Sequence, residues 1–465
     1  LGDTPVVTLA RAATALVEGV TEDGAALARL LVAEGETVRL AGRVPGVAAA
    51  PGRLDELRAQ GVLVEPDAVL DLDPGAPSVA FLDVWTPETA PRVARLRAAG
   101  TRLSCLADLV LARAPGPVIG VTGTAGKTTT AALTAGILRA DGRTVHAGAA
   151  RAGNLWPTGE LLEALPSAAP SDWLVVELTS SHLAFTSGSP HVAVVTSFWP
   201  DHLELHGSLA AYRAAKERLV ASQVAGDWVV VDADEPAVRA FAERTPARRA
   251  SFSRRSGVER GAFLDAATIR VRWDGREHDV CAARELPLRG RLVSNALAAC
   301  TAALAAGVRP QALAGGLIGA SLPPYRGAEV ARWGAVPVLD AGAAATPGKV
   351  AALLEPYADS SIVLIAGGET ELGGLPVHAS GEERRVLEAA LAEVTRAARA
   401  AVVFGPAAGR LAASLAELEV ERVRTLGEAI GAARSLAPGA EAVLFAPIFP
   451  VALDDRERFA ALAVR

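Results

Sequence analysis

Short apolar runs recur along the chain at spacings that fit buried strands. Between them lie stretches whose apolar residues fall three and four apart, as on one face of a helix. Residues 13–20 (ATALVEGV) read as a strand, 23–34 (DGAALARLLVAE) as a helix and 37–41 (TVRLA) as a second strand. Gly19 and Gly24 sit at the first turn but lack the middle glycine of a dinucleotide fingerprint. The alternation continues through VLVEPD, PSVAFLDV, a helix near 88–99 and a strand at Thr101–Leu103. Residues 113–117 (RAPGP) read as a linker. Beyond them an apolar strand, Val118–Thr122, runs into a glycine-rich turn and a helix reaching about Ala140. Strands at 173–178, 191–197 and 227–232 follow, then a β-rich stretch over 248–290 and a helix at 294–306. From Val308 onward, helices alternate with strands at 336–339, 361–366, 400–404 and 441–445. Such alternation predicts α/β units built on parallel sheets. We read three units in series, 1–114, 115–307 and 308–465: a Rossmann-like unit, a phosphate-loop unit and a second Rossmann-like unit.

Composition narrows the class. With 465 residues, 51% hydrophobic and 21% charged, the chain is globular and too long for one core. A formal charge of -6 gives no general basic surface, so nucleic acid is not an expected partner. No uninterrupted run of ~18 apolar residues predicts a membrane span, and no basic stretch followed by an apolar one marks a secretory leader. Cys105, Cys281 and Cys300 are few and far apart, as buried thiols in a reducing cytosol would be, so a cytoplasmic location is the expectation; a monomer is expected without a sequence signal for it. Methionine is absent. Lysine occurs only at 127, 216 and 349, against 46 Lys and Arg together. A position that keeps an amine under so strong an arginine bias can need a compact cation or a group able to become neutral; chance survival is the alternative for each.

The chemistry concentrates in the centre. Gly123-Thr124-Ala125-Gly126-Lys127-Thr128-Thr129 follows a strand and precedes a helix, the context in which a phosphate loop is credible. Its glycines let backbone N–H groups approach phosphate oxygens, and the helix N-terminus adds positive partial charge. Lys127 is expected on the β and γ phosphates of ATP, and the Thr128 hydroxyl on Mg²⁺. Glu177 ends the strand WLVVE beside this loop, where a carboxylate can hold a metal. Asp201-His202, in SFWPDHLELHG, follows another strand and reads as a site pair, with a capping Asp and a surface His as the alternative. Lys216 lies on a helix (YRAAKERL). Desolvated, its amine could react with CO₂ to form a carbamate, a bidentate anionic ligand; a solvated surface lysine is the simpler reading.

Together these segments resemble the Mur ligase family. The resemblance is carried by GTAGKTTT, ELTSS at 177–181, PDHLELHGSLAAYRAAKERL at 200–219 and SNALAA at 294–299. GNLWP at 153–157 is similar to the family's GNxGxP, and TPETAPRVARLRAAGTRLSCLADL at 86–109 lies in the register of its UDP-binding domain. The resemblance implies an ATP-dependent ligase of peptidoglycan precursor synthesis that adds D-glutamate to UDP-N-acetylmuramoyl-L-alanine through an acyl phosphate. It further implies two Mg²⁺ ions, one on Thr128 and Glu177, the other served by His202 and carbamoylated Lys216. Nucleotide contacts are implied for Gly123, Thr124, Gly126, Lys127, Thr128, Thr129, Asn295, Arg326 and Asp340, and substrate contacts for Asn154, Thr179 and Ser180. The partners so implied are the UDP-linked muramoyl substrate and an amino acid.

The C-terminal motifs depart from the family. GxHNxxN reads GRLVSN at 290–295, one residue short; DSKATNP reads Asp340-Ala-Gly-Ala-Ala-Ala-Thr-Pro347; and GGxDKG reads GGETELG at 367–373. The final Ser-Pro…Ser-Phe reads APIFPVAL at 446–453. The lysines and serine that hold the anionic amino acid in the family are missing. Lys349, Arg384 or Arg385 could supply charge, although Lys349 also reads as a surface helix lysine and the arginines as a solvated helix start. Two alternatives follow: the same activation with another acceptor or substrate, or a nucleotide-binding homologue that has lost ligation.

Overall fold

A computed structural model of the protein describes residues 14–42, 51–66, 76–148, 158–288, 290–368, 381–449 and 453–464. Asn154, the GNLWP segment, residues 369–373 and residues 450–452 lie outside them.

The first unit runs β1 (Ala15–Glu18), α1 (Glu22–Ala33), β2 (Val38–Gly42), α2 (Pro51–Ala59), β3 (Leu63–Pro66) and β4 (Val79–Phe81). It ends with α3 (Pro91–Ala98), β5 (Arg102–Ser104) and α4 (Leu106–Arg113). Its five strands form a parallel sheet in the order β3-β2-β1-β4-β5. Strand order reverses between β1 and β4, and a crevice at such a reversal is where open α/β sheets receive ligands. Gly19 turns the chain there with φ +95°, and a Cβ on Gly24 would lie 2.1 Å from the Gly19 carbonyl oxygen. Close approach of helix to turn therefore requires the glycine.

The second unit begins with β6 (Val118–Thr122), α5 (Lys127–Ala140), β7 (Val145–Ala147), α6 (Thr158–Ala164) and β8 (Trp173–Glu177). It continues through α7 (Ser180–Ala184), β9 (Val192–Val195), α8 (Leu203–His206), α9 (Leu209–Ala221), β10 (Trp228–Asp232), α10 (Pro236–Arg239) and β11 (Arg248–Phe252). A three-stranded antiparallel sheet, β12 (Gly261–Asp265), β13 (Thr268–Trp273) and β14 (Arg276–Ala282), precedes α11 (Val293–Ala305) and α12 (Leu313–Leu317). The main sheet is parallel, ordered β11-β10-β9-β6-β8-β7. Every residue of β6 is buried, as expected of a central strand covered on both faces. Leu313 and Leu317 join the central core together with Ala296, Leu297 and Ile137, so the chain leaves that core beyond residue 307.

The third unit is β15 (Ala328–Trp333), β16 (Val336–Asp340), α13 (Pro347–Leu354), β17 (Ile362–Gly367), α14 (Gly381–Ala397) and β18 (Ala398–Phe404). It closes with α15 (Ala408–Ser414), β19 (Glu419–Arg422), α16 (Leu426–Leu436), β20 (Ala442–Ile448) and α17 (Leu453–Val464). Strand order is β15-β16-β20-β17-β18-β19, with only the edge strand β15 antiparallel. The expected α/β class with parallel sheets is observed. The edge strands β15 and β19 and the helices α2 and α4 have no counterpart in the pattern reading. Among the described residues no helix is long and apolar enough to cross a membrane.

Candidate functional site

The site forms where the C-terminal ends of three adjacent strands, β9, β6 and β8, converge under the third unit. β6 delivers the loop Gly123–Gly126 to the start of α5. Gly123 has φ +152° and Gly126 +86°, and a Cβ on Gly126 would fall 2.4 Å from Asn295 Oδ1. Asn295 on α11 is thereby packed against the loop, and Thr130 donates to its Oδ1 at 3.5 Å. The loop is braced from β9. Thr196 Oγ1 donates to Ala125 O at 2.5 Å, and Ala125 N donates to Ser197 Oγ at 2.9 Å. Thr124 turns inward, its hydroxyl 3.0 Å from the Tyr212 hydroxyl and accepting from Trp199 N at 3.2 Å. Lys127 folds back over the loop and donates to Gly123 O at 3.0 Å. Burial pushes its ammonium down to about 8, with Glu177 acting in the opposite sense. A bound polyphosphate would restore the charged form by supplying the missing counter-charge.

Thr128, the next residue, donates to Glu177 Oε2 at 2.6 Å and accepts from Arg326 Nη2 at 3.1 Å. A hydroxyl and a carboxylate oxygen side by side at a phosphate loop match the hard-oxygen preference of Mg²⁺, which takes one or two protein ligands and fills its sphere with phosphates and water. Among the described residues no cluster of three or more His, Cys, Asp or Glu side chains could hold a metal alone. The site thus fits a nucleotide-carried Mg²⁺ and not an all-protein cage. Arg326 arrives from the loop before β15. Its Nη1 is buried without a hydrogen-bond partner among the described residues, and burial lowers the pKa of its guanidinium.

Asp201 lies across from this pair. Its buried carboxylate meets His202 Nε2 at 3.6 Å and Lys349 Nζ at 2.8 Å. Burial alone would raise its pKa, but the charges of His202, Lys349 and Lys127 outweigh burial and hold it well below the usual carboxylate range. His202 takes a left-handed backbone, φ 52°. Lys349 stands in the first turn of α13 and reaches over from the third unit, so the surface-lysine reading fails for it. The same reading fails for Lys216, which is 1% exposed. Its amine donates to Gly123 O at 3.0 Å and Thr122 Oγ1 at 3.3 Å and lies 4.8 Å from the Tyr212 ring centroid. Burial, and then the Lys127 charge, depress its pKa far below that of a free lysine.

The other expected residues occupy distinct places. Thr129 is buried on α5. Asp340, at the end of β16, is buried and accepts from Gly342 N at 2.9 Å; burial pushes its carboxyl up to about 6. Thr179 caps α7, accepting from His182 N at 3.2 Å, and Ser180 Oγ lies 3.0 Å from His206 Nε2. His182 is buried in α7, which lowers its pKa to about 4 and keeps it neutral. His191 pairs with Asp227 at 2.9 Å, away from the loop. Thr196, Ser197, Trp199 and Tyr212 belong to the site but were not expected there. The SFWPDH segment, 197–202, held a legible signal only in its acidic and imidazole groups.

Fold and geometry define a nucleotide-using P-loop enzyme of three α/β domains. A family signature for the Mur ligase middle domain matches residues 121–303. The UDP-N-acetylmuramoylalanine–D-glutamate ligase of Symbiobacterium thermophilum is 33% identical over 453 residues, covering 93% of this chain and 92% of that one. The protein of the same name from Frankia casuarinae is 32% identical over 450 residues, covering 93% and 88%. Among solved structures, UDP-N-acetylmuramate-alanine ligase MurC of Thermotoga maritima superposes with a TM-score of 0.59 at 20% identity, covering 97% and 98%. MurF of Acinetobacter baumannii gives 0.60 at 19%, covering 92% of each chain. The chain belongs to the Mur ligase family of ATP-dependent, amide-forming ligases.

Proposed function

We propose that the protein adds D-glutamate to UDP-N-acetylmuramoyl-L-alanine during peptidoglycan precursor synthesis in the cytoplasm, as a monomer. The carrying observation is the Thr128–Glu177 pair at 2.6 Å beside Lys127, in a chain 33% identical to a ligase of that name along nearly its whole length. In this reading residues 1–114 bind the UDP moiety at the β1/β4 crevice, the central unit from 115 through α12 binds ATP, and the chain beyond α12 contacts nucleotide and amino acid. Gly123, Thr124, Gly126 and Thr129 shape the phosphate cradle. Asn295, Arg326 and Asp340 contact the nucleotide; Asn154, Thr179 and Ser180 serve the muramoyl substrate.

The substrate carboxylate attacks the γ-phosphorus of ATP, and the bond to the β-γ bridging oxygen breaks, giving an acyl phosphate and ADP. The amine of the amino acid then attacks the acyl carbon, loses a proton and expels phosphate. Phosphoryl transfer of this kind depends on positioning and charge neutralisation. Lys127 neutralises the β and γ phosphates, and Arg326 adds charge from the third unit. Thr128 and Glu177 would hold one Mg²⁺, and His202 with a carbamate on Lys216 would serve a second. Bound there, Mg²⁺ would neutralise phosphate charge. The buried, easily neutralised Lys216 amine supports the carbamate reading. Lys216→Ala is expected to lose activity and regain part of it with added short carboxylates; an unaltered variant would remove the carbamate from the account.

A second reading, with another acceptor, draws on one observation: the β16–α13 segment Asp340–Pro347 carries neither lysine nor serine. ADP release measured with UDP-N-acetylmuramoyl-L-alanine against a panel of amino acids separates the two. Turnover with D-glutamate supports the first. Turnover only with a different amino acid supports the second, and ATP binding without acceptor-dependent turnover refutes both.

A further inference from the structure

All three lysines of the chain meet in one place. Lys127 lies in the phosphate loop, Lys216 beneath it, and Lys349 on Asp201, and the charge of each of the other two is felt at Lys127 or Lys216. The first two belong to the central unit. Lys349 is the third unit's only lysine.

Local structure does not account for an amine at 349. It lies in the first turn of α13, where the helix end already carries positive partial charge and a cation is disfavoured. The turn is nonetheless pressed into the cleft. A Cβ on Gly348 would lie 2.7 Å from Trp199 Nε1, so only glycine lets α13 come this close. That indole nitrogen, and the hydroxyl of Thr346 at the start of the helix, are buried without a hydrogen-bond partner among the described residues. Asp201, the ion-pair partner of Lys349 among the described residues, also feels the charges of His202 and Lys127. Lys127, Lys349 and Arg326 stand here with the carboxylates Asp201 and Glu177, and Arg326 Nη1 joins Trp199 Nε1 and Thr346 Oγ1 as a buried donor without a hydrogen-bond partner among the described residues. Buried donors left over beside cationic groups make a place for an oxyanion. The phosphates have Lys127 and the loop amides. Lys349 comes from the opposite wall, on the helix that follows β16.

We propose that Lys349 is a specificity-determining residue that binds the carboxylate of the incoming amino acid, exchanging Asp201 for it when the acceptor enters. This rests on the ligase reading above and adds to it the residue that selects an anionic acceptor.

Kinetics of Lys349→Gln and Lys349→Arg test it. Loss of one charge-assisted contact to the acceptor predicts a KM for the amino acid raised at least about tenfold by Lys349→Gln. The KM for ATP should stay within about twofold, and Lys349→Arg should recover most of the loss. An unchanged acceptor KM would overturn the proposal. So would a rise confined to ATP, which would assign Lys349 to phosphate. If Lys349→Gln fails to fold, the unaltered protein still decides. With three lysines in the chain, amine acetylation read by peptide mass spectrometry reports each separately. With a non-hydrolysable ATP analogue and UDP-N-acetylmuramoyl-L-alanine bound, adding the acceptor should slow acetylation of Lys349 at least fivefold. Protection by an amino acid other than D-glutamate supports Lys349 and removes D-glutamate from the function. Turnover with D-glutamate but no protection of Lys349 does the reverse. Neither turnover nor protection with any amino acid refutes both.

Discussion

Lys127 is buried, and its ammonium is pushed down to about 8; in the proposed function a phosphate supplies the counter-charge that it lacks. Lys127→Met is expected to lower acceptor-dependent ADP release at least about 100-fold, the scale of losing one preorganised charge contact to a transferring group. Chemical denaturation should show unchanged or higher stability, since a buried amine has been removed. A fully active variant would take the loop out of the chemistry. Asp232, at the end of β10, shows the same physics without a site. Burial, with Asp234 and Glu235 nearby, pushes its carboxyl up to about 7. The folded protein therefore holds this proton more tightly than the unfolded chain. Stability from this group is full below about 4 and is lost as pH rises through about 7. Asp232→Asn keeps the acceptor for Asp234 N, now 2.8 Å away, and cannot ionise. It should stabilise the protein at pH 8 by at most about 4 kcal/mol and hardly at all near pH 4. Equal effects at both pH values would contradict the assigned ionisation.

Among the elements, the β6–α5 turn was the most legible. Its signal is local: an apolar strand, glycines, one lysine and a helix, contiguous in sequence. The prediction for this element follows from its backbone. Gly126→Ala introduces a Cβ 2.4 Å from Asn295 Oδ1 at φ +86°. The loop must shift, and ATP affinity should drop at least about tenfold, roughly 1.4 kcal/mol; calorimetric titration with ATP checks it. Glu177, at the end of β8, and the Asp201-His202 pair were legible for the same reason, each standing just after an apolar strand. The central strands were read to within a residue or two because their apolar runs are continuous. What pattern did not show lies between elements distant in sequence. Nothing near Lys349 announces that Gly348 of α13 packs on Trp199, 149 positions earlier in the chain. Thr196 and Ser197 brace the loop through hydrogen bonds that only the β6–β9 pairing creates. Edge strands such as β19 (EVER) alternate too weakly to be separated from polar loop.

Across the whole molecule, polar contacts join the three units, and several of them are made by site residues. Arg326 reaches Thr128 and Lys349 reaches Asp201, while Arg254 pairs with Glu355 at 3.0 Å on the same boundary. The first unit is tied to the second by Asp108 accepting from Ser187 N at 2.8 Å and by Glu88 with Arg218 at 3.1 Å. Since Thr128 and Asp201 are shared between units, nucleotide binding must act on the boundary between the second and third. ATP with Mg²⁺ at about 100 times Kd should stabilise the fold by ~2.7 kcal/mol. Thermal melts should show that shift in the parent protein and not in Lys127→Met; an equal shift in both would place nucleotide binding elsewhere. The proposed reaction is read from ADP release in the presence of UDP-N-acetylmuramoyl-L-alanine, ATP and Mg²⁺. Turnover should start on addition of D-glutamate and yield one phosphate per amide formed. ADP release indifferent to every amino acid offered, or none at all, would contradict it.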